Sequence, residues 1–196
     1  MTERGTYIVI EGIDGTGKTE LAGCLVPLLL RRGHSVSSFH EIADRYLRGQ
    51  FTRLVPIDAF SAALCSTVDR ALLRPEIELA LEQGDVVVQD RSFYSTLAYH
   101  SPALGEDAMR ELERIERAIS IEPDVVLFLS APVDVALERR NGRRPVDLFE
   151  DEPYLTKVRW KFEQMFQPPK WIRIDATAPP EKVLEQAINA LMAGGL

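Results

Sequence analysis

Short apolar runs and longer amphipathic stretches alternate along the chain. Most of the apolar runs are rich in valine and isoleucine, and they predict buried strands at residues 7–10, 34–40, 86–88, 125–129 and 171–174. Helical periodicity between them predicts helices at 18–32, 44–83, 93–119, 132–140, 151–166 and 179–192. Proline lacks the backbone N–H that a helix needs, so we expect an irregularity at Pro27 and breaks near Pro56, Pro75 and Pro102.

Strands that alternate with helices indicate parallel pairing, because each helix carries the chain back across the sheet. We therefore expect an α/β fold of three layers, with a central parallel five-stranded sheet and helices on both faces. A length of 196 residues fits one domain. Residues 141–147 are charged and lack periodicity, which predicts a loop inside a mobile lid at about 139–150.

Composition narrows the class of partner. The net charge is −7, whereas a protein that binds a nucleic acid polymer usually carries a positive surface. No signal-peptide pattern is visible, and no apolar run approaches the ~20 residues that cross a bilayer. We expect a cytoplasmic location, with neither a nucleic acid polymer nor a membrane as partner. Cys24 and Cys65 lack metal-site spacing and are expected to be small buried residues.

Residues 12–19 match the pattern G-x-x-x-x-G-K-[ST] in full. Such a segment, called a P-loop, turns backbone N–H groups and the start of a helix towards the phosphates of a nucleotide. A chance glycine-rich turn is the alternative, but this segment follows an apolar strand and precedes a helix, as phosphate binding requires. Lys18 is expected to neutralise the β- and γ-phosphates, and Thr19 to ligate Mg²⁺. We predict that ATP is bound by Gly12, Asp14, Gly15, Thr16, Gly17, Lys18, Thr19 and Arg139.

Asp90 and Arg91 follow the strand predicted at 86–88. Asp90 should lie beside the P-loop and, with Thr19, form the Mg²⁺ site. The other interpretation of Asp90 is a turn residue or helix cap. Many ATP hydrolases have a glutamate after this aspartate to activate water, whereas this chain has Arg91. A kinase needs such a cation to offset the repulsion between donor and acceptor phosphates.

Two further sets of arginines are candidates for the site. Arg139, Arg140, Arg143 and Arg144 fall within six residues of the predicted lid, where they either form a solvated charged loop or close over the transferring phosphoryl group. We assign catalytic roles to Lys18, Arg91, Arg143 and Arg144. Arg70 either contacts an acceptor or forms a surface ion pair with Asp69.

Several segments together resemble the thymidylate kinase family, whose members phosphorylate dTMP with ATP. Residues 11–19 look like its P-loop, including the acid at Asp14. Residues 90–99 are similar to its D-R-Y-x-x-S-x-x-A-Y segment, 68–71 to A-D-R-A, and 123–139 to P-D-x-x-x-x-L-x-x-x-x-x-x-A-L-x-R. The resemblance implies a P-loop kinase fold and a homodimer formed through helices.

The resemblance also implies roles on the acceptor side. Asp14 would contact the acceptor sugar near its 3′-hydroxyl, and Arg91 the acceptor phosphate. Thr96 and Tyr99 would line the acceptor pocket, with Tyr99 against the sugar, and Arg70 would face O4 of thymine. The predicted acceptor-binding residues are therefore Asp14, Arg70, Arg91, Thr96 and Tyr99.

On the donor side, Asp175-Ala176 resembles the loop that borders adenine. Gly15 replaces the arginine that one subgroup carries in its P-loop, while Arg143 and Arg144 match the subgroup that supplies the catalytic arginine from the lid.

Three positions depart from the family pattern. Ser66 stands where a phenylalanine usually stacks on thymine, and Ser92 replaces a tyrosine or histidine. The family's R-E-P-G segment after the second strand is missing, so the acceptor-phosphate arginine is lost unless Arg45, Arg48 or Arg53 substitutes.

The sequence predicts phosphoryl transfer from MgATP to a deoxynucleoside 5′-monophosphate, with dTMP as first choice. A kinase for another nucleotide or nucleoside, such as a modified pyrimidine, stays open because of Ser66. A non-catalytic ATP-binding regulatory protein is the alternative from another class.

Overall fold

The computed structural model describes residues 4–40, 58–140 and 151–196. Within these ranges the chain forms five strands and seven helices. The strands are β1 (Tyr7–Glu11), β2 (Val36–His40), β3 (Val86–Asp90), β4 (Val125–Ser130) and β5 (Trp171–Asp175). The helices are α1 (Lys18–Arg31), α2 (Ala59–Glu82), α3 (Phe93–His100), α4 (Glu106–Ile119), α5 (Val133–Arg140), α6 (Glu152–Met165) and α7 (Pro180–Ala193). None of these helices is long and apolar enough to cross a lipid bilayer.

The five strands form one parallel sheet in the order β2-β3-β1-β4-β5. Side chains of β1 alternate between the two faces. Tyr7 and Val9 pack with residues from α2, α3, α4 and α6, whereas Ile8 and Ile10 pack with α1 and α7. Because both faces are covered, the inner strands β1, β3 and β4 are largely apolar, whereas the edge strands β2 and β5 also carry exposed polar residues. The predicted three-layer α/β fold is confirmed.

The strand order places β1 at the centre, with β3 on one side and β4 on the other. After β1 the chain crosses to β2 and β3, and it then continues to β4 on the opposite side. Such a reversal opens a crevice at the carboxyl ends of the strands, where ligands of open α/β sheets bind. Ile10 pairs with Asp90 at this end, so the P-loop and the residues after β3 start from the same edge.

The helices differ from expectation at one proline, Pro75. Helix α1 continues through Pro27 and α2 through Pro75, so the predicted break at Pro75 is wrong. Both prolines, and the residues four positions before them, are exposed to solvent, so water can hydrate the carbonyl that loses its helical partner. The interruption at Pro102 is confirmed because α3 ends at His100 and α4 begins at Glu106. Pro56 and residues 44–57 lie outside the described residues.

The prediction that both cysteines are buried is wrong for Cys24. Cys65 is buried as expected, but Cys24 is exposed. It lies on α1 beside Gly23, away from the face that carries Leu21 and Leu25 into the core. The difference follows from helical geometry, since residue 24 points away from the stripe that its neighbours form.

Candidate active site

The P-loop leaves β1 and enters α1 through three glycines in the left-handed region. The φ angles of Gly12, Gly15 and Gly17 are 147°, 91° and 90°. A Cβ atom at Gly12 would lie 2.6 Å from the carbonyl oxygen of Leu129, and one at Gly15 would lie 2.0 Å from that of Ala136. Both the turn and the close backbone contacts therefore require glycine at these two positions.

Polar contacts inside the P-loop involve Thr16 and Lys18. The hydroxyl of Thr16 donates to the carbonyl of Ile13 at 2.8 Å. The ammonium of Lys18 donates to the same carbonyl at 2.9 Å and lies 3.6 Å from a carboxylate oxygen of Asp14. Burial, together with the charge of Arg91, lowers the pKa of Lys18 to about 8. A phosphate anion beside the ammonium would stabilise its charged form further and raise this pKa.

Arg91, Asp14 and Tyr99 meet next to the P-loop. The guanidinium of Arg91 donates to the carboxylate of Asp14, and its central carbon lies 5.3 Å from the centroid of the Tyr99 ring. The backbone N–H of Asp14 donates to the hydroxyl of Tyr99 at 2.8 Å. Burial by itself would raise the pKa of Asp14, but Arg91 and Lys18 outweigh it and hold that pKa well below its usual range. The structure thus brings Lys18, Asp14, Arg91 and Tyr99 together, as the sequence predicted.

Glu11 holds the segment that carries Arg91, a role that sequence reasoning missed. This carboxylate is fully buried at the end of β1. It accepts hydrogen bonds from the N–H and hydroxyl of Ser92, both at 2.7 Å, and from the hydroxyl of Ser95 at 2.6 Å. Burial raises the pKa of Glu11, and these hydrogen bonds oppose the rise. An acid that directly ends an apolar strand was the available signal, since it needs buried partners.

Thr19 and Asp90 form the expected pair at the mouth of the site. The hydroxyl of Thr19 donates to Oδ2 of Asp90 at 2.6 Å. The other carboxylate oxygen, Oδ1, is buried and has no hydrogen-bond partner among the described residues. Ser92, not Asp90, caps α3, so the helix-cap interpretation of Asp90 is wrong. An orphaned carboxylate oxygen beside a hydroxyl is a donor set that suits Mg²⁺, which prefers oxygen ligands and keeps several waters or phosphate oxygens.

Arg70 and Thr96 lie together, on helices α2 and α3. The guanidinium of Arg70 donates to the hydroxyl of Thr96 and pairs with the carboxylate of Glu116 on α4. Asp69 and Arg70 are both buried, so the alternative of a surface pair is wrong. Position 66, where Ser66 replaces the usual phenylalanine, is buried on the same helix.

Arg139 contacts the loop after β5. Its guanidinium donates to the carbonyls of Ala176 and Thr177 at 2.5 and 3.2 Å. This places the end of α5 against the loop that follows Asp175. Arg143 and Arg144, with the rest of the lid from residue 141 to 150, lie outside the described residues, as do Arg45, Arg48 and Arg53.

Comparison with known proteins identifies the family. The sequence profile of the family described as thymidylate kinase matches residues 10–188. The chain belongs to the thymidylate kinase family. It is 34% identical to the thymidylate kinase of Synechococcus sp. (strain RCC307), over 97% of each chain. It is 31% identical to the thymidylate kinase of Leptospira borgpetersenii serovar Hardjo-bovis (strain L550), over 97% of this chain and 95% of that one.

Two departures from the usual thymidylate kinase pattern have a structural basis. Ser92 replaces an aromatic or imidazole ring, and its hydroxyl and backbone N–H both bond the buried carboxylate of Glu11. Gly15 replaces the arginine of one thymidylate kinase subgroup, and its tight contact with Ala136 leaves no room for a side chain. The P-loop at residues 12–19 therefore contains no arginine.

Proposed function

We propose that this protein transfers the γ-phosphoryl group of MgATP to the 5′-phosphate of dTMP, producing ADP and dTDP. The observation that carries this proposal is the pairing of Arg91 with Asp14 and Tyr99, directly beside Lys18 of the P-loop. A protein that only bound ATP would need the P-loop but not a second set of polar groups facing it. The family and its named relatives support the choice of acceptor.

The two cations, Lys18 and Arg91, act on the donor and the acceptor phosphates respectively. Lys18 binds the β- and γ-phosphates of the donor, and Arg91 binds the phosphate of the acceptor. An oxygen of the acceptor phosphate forms a bond to the γ-phosphorus while the bond from that phosphorus to the β–γ bridging oxygen breaks, and ADP leaves. The acceptor oxygen is an anion at pH 7, so no general base is required. Catalysis then depends on alignment and on offsetting the repulsion between the two anions.

We propose that Thr19 and Asp90 hold Mg²⁺ through a hydroxyl and a carboxylate or a bound water. When bound, the ion would offset the negative charge of the β- and γ-phosphates. The buried oxygen Oδ1 of Asp90, which has no partner among the described residues, supports this assignment.

We propose that the lid at 139–150 supplies a second source of positive charge. Arg143 and Arg144 would contact the transferring phosphoryl group, while Arg139 stays at the base of the lid near the loop that borders adenine. The absence of an arginine in the P-loop supports this division, because the tight contact at Gly15 excludes one there. Lid and core together would form a single domain.

A homodimer is the proposed assembly. Helix α2 exposes a stripe of apolar residues at helical spacing, formed by Val68, Leu72, Pro75 and Leu79. Such a stripe supports burial against a second copy of the chain. Leu72→Glu is expected to convert the dimer to a monomer in size-exclusion chromatography with light scattering.

The proposed location is the cytoplasm, and the negative net charge supports the expectation that no nucleic acid polymer is a partner.

A panel of acceptors tests the proposed function. Purified protein with MgATP is given dTMP, dUMP, dCMP, dGMP and thymidine in turn, and ADP release is measured. We expect dTMP to give the highest kcat/KM. A higher kcat/KM for another acceptor would establish the related kinase, and tight ATP binding without acceptor-dependent ADP release would establish a regulatory ATP-binding protein.

A further inference from the structure

A tyrosine hydroxyl on helix α6 binds the end of helix α3. Oη of Tyr154 donates to the backbone carbonyl of Tyr99 at 2.5 Å. Tyr154 lies in the first turn of α6, where its own N–H donates to the capping carboxylate of Asp151 at 2.7 Å. Burial raises the pKa of Tyr154 to about 12, so its hydroxyl keeps its proton at neutral pH. Tyr154 is therefore a stable hydrogen-bond donor from α6 to α3.

The carbonyl of Tyr99 can accept this bond because α3 ends at the next residue. The last four carbonyls of a helix have no partner within the helix. The N–H of Ala103, which would bond Tyr99 if α3 continued, donates to the carbonyl of His100 at 3.1 Å. Pro102 has no N–H to donate. The hydroxyl of Tyr154 supplies the partner that the end of α3 lacks.

The side chain of Tyr99 reaches the P-loop. Its hydroxyl accepts from the N–H of Asp14 at 2.8 Å, and its ring centroid lies 5.3 Å from the guanidinium carbon of Arg91. Arg91 in turn pairs with the carboxylate of Asp14. Tyr99 is thus held at two points, by α6 at its carbonyl and by the P-loop at its hydroxyl. A shift of the last turn of α3 would be carried along the rigid ring to the contacts with Asp14 and Arg91.

We propose that Tyr154 is a positioning residue, which holds Tyr99 against the P-loop and Arg91 and thereby raises the rate of phosphoryl transfer. This inference rests on the proposed function, because the rate depends on the placement of Arg91. Catalytic alignment is sensitive to displacements of about 1 Å, even when their cause lies outside the site. Neither tyrosine needs to touch a substrate for this effect. A hydroxyl that only completed the end of α3 would change the stability of the protein and leave the rate unchanged.

Tyr154→Phe tests the proposal, because it removes the hydroxyl and keeps the ring. The kcat and the KM for ATP are measured from dTMP-dependent ADP release. We expect kcat to fall roughly fivefold, the factor that corresponds to one ordinary hydrogen bond. The KM for ATP should stay within about twofold, because the substitution leaves Lys18 and the glycines of the P-loop in place. An unchanged kcat would overturn the proposal.

A double-mutant cycle shows whether Tyr154 acts through Tyr99. Tyr99→Phe removes the hydroxyl that accepts from Asp14 and should itself lower kcat. If Tyr154 acts through this contact, its own hydroxyl has little left to change once the contact is gone. The double variant should therefore stay within about twofold of the kcat of Tyr99→Phe. Fold-changes that multiply, or a normal kcat in Tyr99→Phe, would contradict the proposed positioning.

Ser101→Ala is the matched control at the end of α3. The hydroxyl of Ser101 also completes this helix end, by donating to the carbonyl of Ala98 at 3.0 Å, but that bond does not lead to α6. Its loss should lower the stability slightly and leave kcat unchanged. A similar fall in kcat for Ser101→Ala and Tyr154→Phe would mean that any weakening of this helix end suffices, and the specific role of Tyr154 would be rejected.

Hydrogen exchange of the Asp14 amide tests the contact without any turnover. NMR exchange rates in the absence of nucleotide report how firmly Tyr99 holds this N–H. Tyr154→Phe should speed the exchange roughly fivefold, whereas Ser101→Ala should not change it. Equal rates in Tyr154→Phe and the unsubstituted protein would overturn the proposal. If the unsubstituted protein releases no ADP with dTMP, the proposed function has failed, and the exchange rates still decide whether Tyr154 holds Tyr99.

Discussion

Arg91 contacts Asp14 across the mouth of the P-loop, and it does so from a backbone conformation that favours glycine. Its φ angle is 70°, and Arg91 is the one residue other than glycine with a positive φ among those described. Two hydrogen bonds hold this conformation: the N–H of Arg91 donates to Ile10 at 3.1 Å, and the N–H of Ser92 donates to Glu11 at 2.7 Å. A strained backbone conformation persists only where several neighbouring contacts hold it in place. Such conformations are common at functional sites.

Two substitutions of Arg91 distinguish the effect of its charge on kcat from the effect of its backbone strain on stability. Arg91→Ala should lower kcat about 10²-fold or more, because a cation aimed at transition-state charge is lost. Arg91→Gly should lower kcat to the same extent but unfold at a higher urea concentration, with a free energy of unfolding about 1 kcal/mol above that of Arg91→Ala. The measurements are ADP release with dTMP and equilibrium unfolding in urea. Near-normal turnover in either variant would reject the catalytic role of Arg91.

Asp14→Asn should make stability depend less on pH under acidic conditions. Arg91 and Lys18 depress the pKa of Asp14 in the folded protein, whereas the unfolded chain takes up a proton near the ordinary value of about 3.9. The stabilisation from this carboxylate is therefore present above about pH 4 and is lost as the pH falls towards the folded-state pKa. Urea unfolding at pH 6, 4 and 3 should show the free-energy difference between the unsubstituted protein and Asp14→Asn shrinking with pH.

Asp107→Asn is the control for loss of one negative charge, since Asp107 is exposed on α4. Its free energy of unfolding should follow that of the unsubstituted protein across the same pH range. A constant difference between the unsubstituted protein and Asp14→Asn would contradict the assigned ion pair.

Asp90→Asn should raise the Mg²⁺ concentration needed for activity. An asparagine can still accept the hydrogen bond from Thr19, so the local geometry is retained while the negative charge is lost. The half-maximal Mg²⁺ concentration should rise about tenfold or more, measured by ADP release at a fixed total ATP concentration. Asp85→Asn is the control, because Asp85 lies just before the opposite end of β3 and bonds Ser37. An unchanged Mg²⁺ dependence in Asp90→Asn would remove Asp90 from the metal site.

Local patterns in the sequence were sufficient for the order of elements and for the position of the P-loop between β1 and α1. The inner strands β1, β3 and β4 are largely apolar on both faces, and the glycine pattern of residues 12–19 follows the first strand directly. The topology then brings Asp90 and Arg91 to the same edge as the P-loop, because parallel strands share their carboxyl end. These features depend on neighbours in the sequence or on the rule that links strands through helices.

Features that depend on packing between distant helices were not predictable in this way. Glu116 lies in a helix that also carries the exposed Glu113, and the two acids look alike in the sequence. Only the packing of α4 against α2 buries one and leaves the other in water. The continuation of α2 through Pro75 was not predictable either. The helix tolerates this proline because Pro75 faces solvent, which depends on how α2 packs.

Gly15→Ala should weaken ATP binding by displacing α5. Alanine at this position meets two obstacles: a φ of 91°, and a Cβ atom that would lie 2.0 Å from the carbonyl oxygen of Ala136. The P-loop and α5 must therefore separate, and α5 carries Arg139, which contacts the loop after β5. We expect ATP affinity to fall more than about tenfold, in line with the 1–3 kcal/mol that overpacking typically costs.

Gly33→Ala is the control that has the backbone strain of Gly15→Ala without its steric contact. Gly33 has nearly the same φ, 90°, but a Cβ atom there would have no heavy atom within 4 Å. Both variants should lose about 1 kcal/mol of unfolding free energy from the left-handed backbone, and Gly15→Ala should lose at least about 1 kcal/mol more. Calorimetric titration with ATP should show normal affinity for Gly33→Ala. Equal ATP affinity in the two variants would mean that the contact between the P-loop and α5 does not control the nucleotide site.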